Sequence, residues 1–484
     1  MRKFQILLLF FIVFLGILLR LYRFDSPIAD WHSWRQSDTS AVSRNFIKSG
    51  LDLLHPTYDD ISNIQTGYEN PKGYRFVEFP IYNFFQAGTF FVTKDFIPFT
   101  LEQWGRIVTI FSSVVTSIFL FLLVGKYSNK KVAFLALFFY LTLPYSVFYG
   151  RVLLPDPFMV MSIMGGIYFF DKWLSLSIQY SVSSIKYLSL FFLAVVFTSM
   201  AILIKPFALF FTIPMIYLAI KKFGFLFLTK WQFYLFLVLS VTPFAFWRFW
   251  MLQFPEGIPA SSWLFNGGGI RFKGAFFYWI FAQRISQLIL GYFGIALIVF
   301  GLVKKESAKH YYFFVSFLLS SLIYLFVIAR GNVQHDYYQI LIIPTISMFL
   351  ALGVYEFYAM FKNNKIIGLI SIFTFVGFTY AFSFFQVRDY FNINNENIVV
   401  AGKKADALLP KEALVIAAYD GDTTFLYQIN RKGWPAFTDS IEELIKKGAQ
   451  YLVIANPTKS DFDGFGKNFK PIASSEAYLI LRLK

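Results

Sequence analysis

The feature that most constrains this chain is the recurrence of apolar runs long enough to cross a lipid bilayer. Segments 4–19, 104–124, 132–149, 157–173, 187–204, 206–220, 231–252, 280–302, 311–328, 337–358 and 366–385 are each predominantly apolar. A helix of about 20 apolar residues crosses the hydrocarbon core, and shorter runs cross with help from their flanks. Backbone groups in hydrocarbon must be satisfied within the segment, so the expectation is a polytopic α-helical membrane protein of about eleven transmembrane helices. Composition agrees: 57% of the 484 residues are hydrophobic and 15% charged, more apolar surface than one water-soluble core can bury. The first run follows Met1-Arg-Lys as in a signal peptide, but Arg20, Tyr22 and Arg23 stand where a small-x-small cleavage site belongs. It reads as an uncleaved first span.

The connectors carry most of the positive charge: Lys126, Lys130 and Lys131; Lys172 and Lys186; Lys221, Lys222 and Lys230; Lys304, Lys305 and Lys309; Lys362 and Lys365. With Met1 inside and the short segment 81–97 lying in the interface, all of them fall on the cytoplasmic face, as the positive-inside rule requires. The net charge of +16 is then accounted for without nucleic acid. The same topology puts the loop 21–103, the turn Arg151 to Pro157, Lys205-Pro206, the loop 253–279 and the stretch 330–339 on the external face. The expected division is a membrane domain, 1–385, and an extracytoplasmic α/β domain, 386–484. In the tail, Ala413-Leu-Val-Ile-Ala-Ala, Tyr451-Leu-Val-Ile-Ala and Ala477-Tyr-Leu-Ile-Leu read as strands, and 440–447 as an amphipathic helix.

Against this apolar background, Asp30-Trp-His-Ser-Trp-Arg-Gln-Ser-Asp38-Thr is dense in chemistry. Asp30, His32, Arg35, Gln36 and Asp38 crowd two carboxylates, an imidazole and a fixed cation beside a membrane. Such groups are costly there unless they pair with one another or bind something. Arg106, Arg151, Lys205, Arg248, Arg284 and Arg330 fall at external span ends, where cations are expected to be few. They either snorkel to lipid headgroups or hold an anion such as a lipid-linked phosphate. The chain has no cysteine, and its four histidines are not at metal-ligand spacing, so no thiolate or zinc chemistry is indicated. A divalent cation would have to be held through oxygen ligands such as Glu78.

Trp34-Arg-Gln-x-Asp38-Thr, Arg44-Asn-Phe46, Glu78-Phe-Pro-Ile-Tyr82, Arg151-x-x-x-Pro-Asp156-Pro and His335-Asp-Tyr-Tyr-Gln339 follow in order. In them the chain resembles bacterial membrane glycosyltransferases of the GT-C superfamily, on the branch of the protein O-mannosyltransferases and the lipid A aminoarabinose transferase. The resemblance covers the chain to about residue 385. It implies inverting transfer of a sugar from a polyprenyl-phosphate carrier to an envelope lipid, glycan or protein on the external face of the cytoplasmic membrane. It also implies a base in the first external loop. These relatives commonly carry Asp-Glu there, whereas this chain has Arg35-Gln36, so the base falls to Asp38 ahead of Asp30. The alternative for Asp38 is the N-cap of a helix beginning near Thr39.

Glu78 borders the reaction site in this reading; otherwise it pairs with Arg75 or Lys72. Asp156 is either a site carboxylate or the acidic start of a helix. Arg151, Lys205, Arg248 and Arg330 are the expected phosphate contacts, with His335, Tyr337 and Gln339 near sugar or phosphate. A transporter or lipid flippase is the other class, and it should show internal repeats and broken mid-membrane helices.

Overall fold

The computed structural model describes residues 3–176, 184–303 and 310–484. The expected connector lysines Lys304, Lys305 and Lys309 lie outside the described residues. The chain opens with helices α1 (Lys3–Arg20), α2 (Ser33–Ser49), α3 (Ile81–Thr93), α4 (Leu101–Tyr127), α5 (Lys130–Thr142), α6 (Pro144–Tyr149), α7 (Asp156–Leu176) and α8 (Ile185–Ile204). Contacts divide it into two compact units. One comprises Met1–Tyr22, Ile107–Trp247 and Ser261–Asp389; the other comprises Arg23–Arg106, Arg248–Ala260 and Tyr390–Lys484.

The first unit is helical. All eleven apolar segments are helical at least in part, but among the described residues seven helices are long and apolar enough to cross a membrane, or eight if one bent pair counts as a span. The shortfall from eleven has local causes. Segment 132–149 is broken between α5 and α6, where Pro144 cannot continue the backbone ladder. In α7, Asp156, Asp171 and Lys172 interrupt the apolar run. Helix Tyr311–Val327 has only 17 residues. Segment 280–302, expected as one span, is bent by 110° between Gly274–Ile289 and Gly294–Val303. Gly291 at the bend has φ +49°, and a Cβ there would lie 2.2 Å from the Thr379 carbonyl oxygen, so glycine is required twice over.

Arg20 closes the break at Pro144. Its Nη1 donates to the carbonyls of Gly16 at 2.9 Å and Leu141 at 2.6 Å, and its Nη2 to that of Ser146 at 3.1 Å. A residue that reads as a cation flanking the first span is in fact fully buried. It satisfies carbonyls that the broken ladder leaves without donors.

The second unit joins the early loop to the tail. Its sheet has the order β2-β1-β3-β5-β4, with β1 Val415–Ile416, β2 Gly433–Trp434, β3 Tyr451–Ala455, β4 Lys470–Ser474 and β5 Tyr478–Arg482. β1 runs parallel to β2 and β3, while β5 is antiparallel to β3 and β4. The early segment extends this sheet: the Ile61 amide donates to the Gly433 carbonyl at 3.0 Å, and the Gly433 amide to that of Asp59 at 2.9 Å. Helix α3, with 13 residues, is too short to span about 30 Å of hydrocarbon.

Candidate active site

In the second unit the polar stretch folds as α2. The helix begins at Ser33, after His32 turns the chain in the left-handed region at φ 55°, and Gly50 ends it at φ 98°. Asp38 therefore lies inside the helix and is not its N-cap, because the start expected near Thr39 falls six residues earlier. No run of backbone donors holds this carboxylate. Thr423 Oγ1, from the tail, donates to Asp38 Oδ1 at 2.6 Å. Arg75 Nη2 sits 2.5 Å from Oδ2 as an ion pair whose angle is not that of a hydrogen bond. Oδ2 thus keeps lone-pair capacity while its charge is balanced.

Helical spacing puts Arg35, Asp38 and Val42 on one face. They line a cavity of about 10 Å³ with Arg75, Glu78 and Asn83, room for about one water. Arg35 Nη2 reaches both Glu78 oxygens at 2.7 Å, so the ion pair that Glu78 makes is with Arg35, where Arg75 or Lys72 stood as the alternative to a place at the reaction site. Gln36 Nε2 donates to Asp30 Oδ1 at 2.6 Å. Arg35 and Gln36, expected at the substrate, are thereby engaged with Glu78 and Asp30. His32 stays half-buried against Trp31.

Around Asp38 the field is acidic. Burial, with the Asp38 charge adding to it against two bonds from Ser62, pushes the Asp60 carboxyl up to about 6. Burial and Asp38 also raise Asp422. The rest of α2 is tied down by side chains. Ser43 donates to Gln86 Oε1 at 2.8 Å, Gln86 Nε2 to Ser40 Oγ at 3.0 Å, and Asn83 Nδ2 to the Thr39 carbonyl at 2.6 Å. Arg44 pairs with Asp59 and donates to the Tyr427 carbonyl.

In the first unit, Asp156 is the first residue of α7 and Lys205 follows the last of α8. Lys205 Nζ meets Asp156 Oδ1 at 2.6 Å, both side chains buried, with the Tyr338 and Tyr337 rings 5.1 and 5.5 Å from Nζ. Asp156 Oδ2 is buried with no hydrogen-bond partner among the described residues. Asp156 is therefore both a helix-start carboxylate and half of an ion pair. The His335 ring lies 5.4 Å from Tyr337 and 5.6 Å from Tyr338, and Gln339 Nε2 donates to Asn332 Oδ1 at 2.9 Å.

The other cations part company. Arg151 is buried beside Phe148, and Arg330 is half-buried against Gly267. Arg248, in the second unit, is exposed. Arg106 gives its Nη1 to the Phe24 carbonyl at 2.6 Å, and Arg284 its Nη1 to Gln283 Oε1 at 2.8 Å. Arg106, Arg151 and Lys205 are too buried to snorkel to bulk headgroups.

Sequence reasoning missed Thr423 and Asp336, and it named Arg75 only as an alternative partner of Glu78, not as the partner of Asp38. Asp336 accepts from Tyr149 Oη at 2.7 Å, and only its place in the His335 motif drew notice to it. Among the described residues no three His, Cys, Asp or Glu side chains gather as a metal site. Both Glu78 oxygens accept from Arg35.

Residues 81–250 match the family model described as dolichyl-phosphate-mannose-protein mannosyltransferase. ArnT from Cupriavidus metallidurans bound to undecaprenyl phosphate superposes with a TM-score of 0.67 at 12% identity, over 100% of this chain and 98% of that one. Apo ArnT gives 0.64 at 12%, covering 98% and 97%. The Archaeoglobus fulgidus oligosaccharyltransferase complexed with Zn and sulfate gives 0.59 at 11%, covering 93% of this chain and 68% of that one. A search of curated proteins by sequence found no significant match.

Proposed function

Taking the chain as a member of the GT-C superfamily related to the mannosyltransferase and ArnT branch, we propose that it is an inverting glycosyltransferase. Its donor is a sugar on a polyprenyl phosphate, and its acceptor is a hydroxyl-bearing envelope lipid, glycan or protein. The acceptor oxygen forms a bond to the anomeric carbon as its proton passes to Asp38 Oδ2. The bond from that carbon to the phosphate oxygen breaks, and the phosphate leaves with the electron pair. Base catalysis needs one poised carboxylate, and charge stabilisation needs cations held ready for the leaving group. Lys205, already desolvated, is the proposed phosphate contact, with Arg151, Arg248 and Arg330 as further contacts. Asp30 is the reserve base.

The observation that carries the reading is the state of Asp38: fully buried, fixed through Oδ1 by Thr423, and charge-balanced at Oδ2 by Arg75. A general base needs this combination of orientation and a remaining lone pair. Transport is not favoured, since the family match and the similar structures are glycosyltransferases. The reaction is placed on the external face of the cytoplasmic membrane, with residues 386–484 on the same side. A reporter active only outside should be active after residue 60 or 400 and silent at Lys130.

Mass spectrometry of envelope glycolipids and glycoproteins with and without the protein tests the function. A missing sugar names donor and acceptor together, and unchanged profiles count against transfer. With purified protein, Lys205→Arg should raise the donor KM with less effect on folding than Lys205→Ala, which strands Asp156 as a buried charge at a cost of about 3–5 kcal/mol. Unchanged donor use in both variants moves the phosphate role to the arginines.

A further inference from the structure

The first unit has a second basic site at the other end of α7. Asp156 begins the helix and Asp171 lies fifteen residues on, about 22 Å along the axis at 1.5 Å per residue. Around Asp171 opens a cavity of about 460 Å³, lined by Lys126, Tyr127, Asp171, Lys221, Lys222 and His310 among others. The cavity beside Asp38 has room for about one water; this one has room for a phosphate headgroup.

Its walls are organised. Lys126 Nζ lies 2.7 and 2.6 Å from the two Asp171 oxygens, and Tyr127 Oη donates to Oδ1 at 2.6 Å. The Tyr127 ring is stacked on Phe313 at 3.9 Å between centroids and has Lys126 and Lys221 Nζ at 5.3 and 5.2 Å. The His310 amide donates to the Tyr127 carbonyl at 3.3 Å. Among the described residues that line the cavity, one aspartate balances one of three lysines, so Lys221 and Lys222 leave it with net positive charge. Both sit in the last turn of helix Ile213–Phe223, where the helix dipole favours cations.

From this geometry we infer that the cavity binds the phosphate of an anionic phospholipid headgroup, at the membrane end opposite the Asp156–Lys205 pair. The ligand carries acyl chains, because the helices that bear the lysines are apolar and expose Ile216 and Leu122. A basic pocket between membrane helices is the usual form of such a site. The site stands apart from the proposed transfer reaction and uses none of its residues.

The test is native mass spectrometry of the full-length protein in detergent with phosphatidylglycerol, phosphatidylcholine and inorganic phosphate. Lys126 and Asp171 are left intact to protect the fold, and the variants are Lys221→Gln with Lys222→Gln, and Lys130→Gln with Lys131→Gln on the neighbouring connector. Phosphatidylglycerol should be retained by the parent and by the connector variant. It should bind roughly 30-fold more weakly to the cavity variant, since each lysine near an anionic lipid contributes about fivefold. Equal retention in the cavity variant overturns the inference, as does equal loss in the connector variant, which would mean a general surface field. Phosphatidylcholine binding as well as phosphatidylglycerol overturns it too, and displacement of lipid by inorganic phosphate would reassign the cavity to the free ion.

Discussion

α1 and α2 are neighbours in sequence and opposites in how they treat solvent. Only three of the eighteen residues of apolar α1 are buried, and Phe10 and Phe11 stand 67% and 62% exposed. Twelve of the seventeen residues of α2 are buried, among them Arg35, Gln36, Asp38, Ser40 and Asn45. In water both arrangements would be unfavourable. They make sense together when the medium around α1 is hydrocarbon and the polar groups of α2 find partners within the protein. The apolar effect holds α1 in the membrane, whereas directional bonds hold α2 in one geometry.

The largest expected effect tests whether that geometry serves chemistry. Asp38→Asn keeps an oxygen for Thr423 but cannot take a proton, so turnover with a polyprenyl-phosphate sugar should fall about 10²–10⁴-fold. Asp30→Asn should do less. Variants are compared only where thermal stability matches the parent, since Arg75 loses its charge partner. Near-normal turnover in Asp38→Asn with an inactive Asp30→Asn transfers the role to Asp30, and two active variants leave α2 as architecture alone.

Next comes the other side of the comparison. Phe10→Asp would be nearly silent on a water-exposed helix, but at the centre of a membrane span a carboxylate costs about 3 kcal/mol. Lower membrane-inserted yield, against normal yield for Phe10→Leu, is the expected outcome. Equal yields would mean that α1 does not face lipid.

What was legible in the sequence follows from the same contrast. Apolar runs report burial or lipid directly, so the membrane class and strands β1, β3 and β5 could be read. β2 has two residues, and β4, Lys470–Ser474, is largely exposed without apolar alternation, so neither announced itself. α2 is buried on nearly every side through polar groups and has no apolar stripe, which hid its start at Ser33. The partners of Asp38 were hidden by distance along the chain: Thr423 lies 385 residues away. Pairings of that kind come from tertiary structure, which no local pattern encodes. Arg20 and Arg106 looked like flanking cations for the same reason, since the carbonyls they cap become available only once the helices pack.

A smaller effect concerns the acid around α2. Burial holds the Asp60 carboxyl at about 6, above the ordinary value of about 3.9. The folded state therefore binds this proton more tightly than the unfolded chain. The resulting stability is fully present below about pH 4 and is lost as pH rises through about 6. Asp60→Asn removes the dependence and keeps an acceptor for the Ser62 amide, now 2.8 Å away. At pH 7 it should be more stable than the parent by roughly 3 kcal/mol, with the difference closing towards pH 4. Thermal unfolding across that range measures it, and a difference independent of pH would mean that Asp60 is not the titrating group.

The smallest effect asks what the tail contributes to α2. Thr423 is a positioning residue: its hydroxyl fixes Asp38 Oδ1 at 2.6 Å, and helix Thr424–Ile429 packs against α2 beside it. A hydrogen bond to a charged group contributes about 1.5–3 kcal/mol, and part of that survives as the carboxylate reorients. Thr423→Val keeps the shape and should therefore lower turnover by about tenfold at unchanged donor KM. Thr423→Ser restores the hydroxyl and should restore the rate. A fall in rate that Thr423→Ser does not rescue would make Thr423 a packing residue, and full activity in Thr423→Val would detach the tail from the chemistry of α2.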